Sequence, residues 1–65
     1  MWSKELTKLS REYFETGFCN VKNKVPEFGV LIKKDNQFRI KLFNSDTELI
    51  YNSVDDLINA GWVVD

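Results

Sequence analysis

Histidine is missing from this sequence, and cysteine and proline occur once each, as Cys19 and Pro26. General acid–base chemistry near neutral pH therefore lacks its commonest agent. A zinc site of the usual Cys/His kind cannot be assembled either. A single cysteine forms no internal disulfide, and without an imidazole it has no partner to raise its nucleophilicity. Cys19 is expected to be a small packed or half-buried thiol. Glycine is also scarce: Gly17, Gly29 and Gly61 stand isolated, so there is no glycine-rich loop to cradle a phosphate.

No apolar run approaches the roughly 20 residues that a membrane span needs. The opening residues, Met1-Trp2-Ser3-Lys4-Glu5, lack the apolar stretch of a secretory signal. An unpaired cysteine and no export signal set the expectation of a reducing cytoplasm. Asp55 and Asp56 are the one adjacent pair of carboxylates. On a helix they diverge by about 100°, so they do not converge on one proton or metal, and capping explains them. The expectation is a protein that is not an enzyme, holds no cofactor or metal, and has neither a small-molecule substrate nor a membrane partner.

What is present is enough for one small core. The 65 residues are 43% hydrophobic and 14% aromatic, which argues for a folded chain. Spread over two cores they would bury too little, so residues 1–65 read as a single domain. A core this small supplies only about 3–5 kcal/mol, which leaves room for oligomerisation as a staple.

Charge is unevenly placed. Residues 1–43 hold all nine basic residues and five acidic ones, whereas residues 44–65 hold five acidic residues and no base. Such a split marks either a partner surface or two halves that neutralise each other once folded.

Hydrophobic spacing predicts a helix over 2–16, with Trp2, Leu6, Leu9 and Tyr13 on one narrow stripe and Ser3 as N-cap. Gly17 reads as a left-handed stop, with Phe18 folding back on Tyr13. Ser53-Val54-Asp55-Asp56 resembles a capping box, and Gly61-Trp62 repeats the glycine–aromatic stop with Trp62 over Leu57. Trp62–Val64 then returns to the sheet as a short edge strand.

Between the helices, Phe28–Lys34, Phe38–Asn44 and Thr47–Asn52 read as an antiparallel meander. Residues 18–27 are ambiguous: Phe18, Val21 and Val25 favour a strand, whereas Asn20, Asn23 and Pro26 interrupt it. The fold class is α+β, with an N-terminal helix and a strongly twisted antiparallel meander of three to five strands. A short C-terminal helix and a terminal edge strand complete it. The alternative is a small SH3-like barrel with an N-terminal helix.

Segregation of apolar from charged residues favours a three-residue loop at 35–37, which pairs Ile32 with Ile40 and Val30 with Leu42. A two-residue loop would set Ile32 against Arg39 and Val30 against Lys41. The three-residue register puts Phe28, Val30, Ile32, Phe38, Ile40 and Leu42 in the core. It leaves Leu31, Lys33, Arg39, Lys41 and Phe43 on the other face as the candidate partner-binding residues, with Glu48 or Ile50 joining from the third strand.

Unless the sheet closes or is covered, that face combines apolar anchors with a basic margin, as protein interfaces do. The function expected is a small intracellular interaction module that binds a protein partner or itself, with a homodimer included. The alternative is a nucleic-acid-binding module, in which the same cations meet phosphates and a ring stacks on a base.

Overall fold

The computed structural model describes residues 2–65. Seven elements follow in order: α1 (Lys4–Thr16), β1 (Phe18–Lys22), β2 (Phe28–Lys34), β3 (Gln37–Leu42), β4 (Glu48–Tyr51), α2 (Val54–Asn59) and β5 (Val63–Val64). The strands form one open antiparallel sheet in the order β4-β3-β2-β1-β5. This is the α+β architecture expected, in its five-stranded form, and the barrel alternative is not adopted.

Both helices start on a serine cap. The Ser3 hydroxyl accepts from the Leu6 N–H at 3.1 Å, and the Ser53 hydroxyl accepts from the Asp56 N–H at the same distance. The second helix ends as its sequence reads. The Gly61 N–H donates to the Ile58 carbonyl and the Trp62 N–H to the Leu57 carbonyl, with Gly61 in the left-handed region at φ 95°. Trp62 then packs in the core with Leu57.

The first helix ends differently. Gly17 is left-handed at φ 85°, but the Tyr13 carbonyl accepts from the Thr16 hydroxyl at 2.6 Å. Phe18 does not fold back on Tyr13; it enters β1 opposite Ile32 and is largely exposed. The helical stripe is also rotated from the expected one. Ser10 and Phe14 are the buried positions, whereas Leu9 and Tyr13 lie nearly half exposed on its flank. Ser10 is tolerated there because its hydroxyl is fully used: it donates to the Leu6 carbonyl and accepts from the Val64 N–H at 2.9 Å.

The ambiguous stretch divides in two. Residues 18–22 form β1, paired to β2 along its whole length. Residues 23–27 turn the chain, held by the Asn23 carboxamide oxygen, which accepts from the Val25 and Glu27 N–H groups. Asparagine here builds the turn rather than breaking a strand. Asn20 is harmless to β1 because it points to the exposed side.

The decisive correction concerns the β2–β3 hairpin. Its loop has two residues, Asp35 and Asn36, both left-handed at φ 54° and 64°, and Lys34 pairs with Gln37. Two successive left-handed residues make the turn whose twist matches that of paired strands, and Asp and Asn tolerate it. The register is the one that sets Ile32 against Arg39 and Val30 against Lys41. Every residue of β2 is therefore on the opposite face from the one expected, while β3 is as expected.

The core lies on the helical side. Val21, Leu31, Phe38 and Ile40 from the sheet meet Phe14 of α1, Leu57 of α2 and Trp62. Cys19, Leu42, Leu49 and Tyr51 pack around them. Trp62 donates from its indole N–H to the Tyr51 hydroxyl at 3.0 Å.

Folding pairs part of the unevenly placed charge of the sequence. Arg11–Asp55 at 2.6 Å, Lys22–Asp65 at 3.6 Å and Arg39–Glu48 at 3.2 Å are the ion pairs among the described residues. Each joins a base from residues 1–43 to an acid from residues 44–65. No described helix is long and apolar enough to cross a membrane.

Candidate interaction face on the open side of the sheet

The helices cover one side of the sheet and leave the other open. Pairing across four strands arranges the open side in rows. Phe18, Ile32, Arg39 and Ile50 make one row, and Asn20, Val30, Lys41 and Glu48 make the next. Lys22 and Phe28 lie beyond the second row, and Lys34 and Gln37 beyond the first. Phe43 follows β3 and continues the same alternation, with its N–H donating to the Phe28 carbonyl at 3.0 Å.

This side carries an unusual load of exposed apolar surface. Phe18 is 69% exposed, Phe43 59%, Ile50 51% and Ile32 48%. Phe28 is 41% exposed and Val30 is half-buried among its neighbours. Isolated exposed hydrophobics are ordinary, but a contiguous group rimmed by charge marks contact surfaces.

Of the five residues expected here, three are in place. Arg39 and Lys41 lie on the open side in consecutive rows, and Phe43 is exposed at its end. Leu31 is not there: it is fully buried between Cys19 and Ile40 on the helical side. Lys33 is displaced by the same change of register. Its N–H donates to the Gly17 carbonyl and its ammonium sits 5.4 Å from the centre of the Phe38 ring, at the mouth of the core. Phe18, Val30 and Ile32 take their place, beside Glu48 and Ile50, the third-strand residues expected to join. The signal for Val30 and Ile32 was the dipeptide Asp35-Asn36, which suits a two-residue turn.

Arg39 is the best-held cation of the face. Its guanidinium donates to Glu48 at 3.2 Å and to the Gln37 side chain at 3.4 Å, while its Nε has no hydrogen-bond partner. A planar cation is thus fixed between Ile32 and Ile50, with little rotamer freedom left to lose on contact. Lys34 and Lys41 are exposed and form no ion pair among the described residues.

Elsewhere the chemistry is sparse. Cys19 lies half-buried opposite Leu31, and burial pushes its thiol pKa up, away from the thiolate. Asp55 and Asp56 diverge, with Asp55 engaged by Arg11. No group of three or more potential metal-ligating side chains comes together among the described residues. On the helical side a hollow opens between α1 and the end of α2, walled by Trp2, Thr7, Lys8, Ile58, Gly61 and Val63. The Trp2 indole N–H is already committed there to the Gly61 carbonyl at 2.7 Å. Comparison of this chain with protein-family models, with curated proteins and with solved structures finds no match to any of them.

Proposed function

We propose that this chain is a small, non-enzymatic, cytoplasmic interaction module that uses the open side of its sheet to bind a protein surface, its own or another's. The observation that carries this reading is the group of Phe18, Val30, Ile32 and Ile50 around Arg39 on the side that no helix covers. Burying such a group against a partner removes apolar area from water, at about 25 cal/mol per Å².

A second reading has its own support. Phe18, Phe28 and Phe43 are exposed beside Lys22, Lys34, Arg39 and Lys41, and rings interleaved with cations suit single-stranded nucleic acid. Binding of that kind weakens steeply as salt rises, whereas an apolar protein contact does not.

The test is site-specific photo-cross-linking in cells, with the reactive residue at Ile32 or at Glu12 on the solvent side of α1. The proposal expects a discrete protein adduct from position 32, a dimer or one other protein, that position 12 does not give. Equal adducts from both positions, or nucleic-acid adducts alone, overturn it.

A further inference from the structure

We infer that the partner of the open face is an acidic protein surface with apolar anchors, rather than a second copy stacked face to face; this rests on the face being an interaction surface at all. The argument is the distribution of charge between the two sides of the molecule. The open face carries three cations, Lys34, Arg39 and Lys41, against the single carboxylate of Glu48. The Lys22 ammonium is drawn off this face, to Asp65 and to 5.8 Å from the centre of the Trp2 ring. The excess of the face is two positive charges. The whole chain is at −1, so the remainder of the molecule is at −3.

A symmetric dimer uses the same patch on both copies. Stacking this face on itself would set an excess of two positive charges against another two. Like charges brought together in a desolvating contact oppose association strongly. A partner surface bearing carboxylates meets the opposite situation. Lys34 and Lys41 are exposed and unengaged, so they can pair with incoming carboxylates without first breaking an ion pair. Ile32 and Ile50 flank Arg39 in the row between them, which supplies an apolar centre with a charged margin.

The same charge would attract phosphates, but the layout favours protein. The middle of the face is aliphatic, formed by Val30, Ile32 and Ile50, and aliphatic side chains do not stack on bases. Phe18 opens β1, while Phe28 and Phe43 lie together at the far end, so the rings do not form one platform.

The experiment is an amide-resolved NMR titration of the full chain with three probes. These are a short peptide alternating leucine with glutamate, its counterpart with lysine, and oligothymidylate. Sedimentation of the unliganded chain across concentration accompanies it. The glutamate peptide should shift the amides of Val30, Ile32, Lys34, Arg39, Lys41 and Ile50, and bind about tenfold more tightly than the lysine peptide. Lys34→Glu with Lys41→Glu should abolish that preference, and Lys8→Glu on α1 should leave it intact.

Equal or tighter binding of the lysine peptide overturns the inference. So does a concentration-dependent dimer whose shifts map to these same residues, although the interaction reading then survives. Oligothymidylate binding here in place of both peptides overturns the inference and the protein reading together. A monomer in which no probe moves these amides overturns both as well.

Discussion

Ile32 on β2 stands directly opposite Arg39 on β3, on the side of the sheet that faces water. An aliphatic residue and a cation side by side mean that the two strands do not sort their side chains by polarity on this face. The sorting is kept at the centre of the helical face, where Leu31 lies opposite Ile40, and lapses at its mouth, where Lys33 lies opposite Phe38.

That relationship is tested by substituting neighbours in sequence. Leu31→Ala should destabilise the fold by about 2–5 kcal/mol, because a fully buried side chain is removed and a cavity is left. Ile32→Thr, one residue along, should cost under about 1 kcal/mol, since threonine keeps the strand preference at a half-exposed position. Urea unfolding of both variants measures the contrast. The reverse order of stabilities would restore the three-residue loop.

Gly29 is required by space rather than by backbone angle. A Cβ there would come within 2.6 Å of the Lys41 carbonyl oxygen and 2.9 Å of the Ile40 side chain. The carbonyl belongs to the neighbouring strand and cannot swing aside, so Gly29→Ala should cost about 1–3 kcal/mol. Gly61→Ala meets nothing within 4 Å and is strained only by its φ of 95°, so about 1–2 kcal/mol is expected. Denaturant midpoints at constant slope report both.

Ser10→Ala isolates the link between α1 and β5. It removes the hydroxyl that accepts from the Val64 N–H, at a fully buried position. Leaving that donor without a partner should cost about 1–3 kcal/mol. Amide exchange should speed up at Val64 more than at Leu31.

Cys19 gives the chain an alkaline dependence. Burial raises its thiol pKa above the ordinary value of 9.0. The sign follows from linkage: the unfolded thiol loses its proton first, so stability is full below pH 9 and declines as pH rises toward the folded pKa. Cys19→Ala should remove this part of the decline, and alkylation of the native thiol should set in at higher pH than in urea. Equal alkylation profiles in the two states would show that the thiol is not shielded.

Legibility in the sequence followed the range of the interaction that decides each feature. The caps at Ser3 and Ser53 and the stop at Gly61-Trp62 depend on residues a few positions apart, and they read correctly. The hairpin register did not, because the criterion applied was segregation of apolar from charged residues. That criterion holds where a face is either buried or solvated. It fails on a face that is both apolar and wet, so it assigns Leu31 and Lys33 to the wrong side and Arg39, Lys41 and Phe43 to the right one. The turn chemistry of Asp35-Asn36 was the better guide. Spacing alone does not single out Phe14, because Leu9 and Tyr13 also fit a helical stripe, and only the position of β5 and α2 selects between them.

The strand β5 joins the sheet beside β1, not beside β4, which precedes it in the chain but for α2. Val21 meets Val64, and the hydroxyl of Ser10 meets its N–H, across most of the sequence. The β1–β2, β2–β3 and β3–β4 pairings join strands adjacent in the chain and close cheaply as soon as both strands exist. The β1–β5 seam carries the larger closure cost and so closes late. A chain in which β1 to β4 have paired and β5 has not yet docked therefore shows one unfilled edge of β1. That edge, next to the apolar open face, is the place where the folding chain most needs protection from pairing with another of its kind.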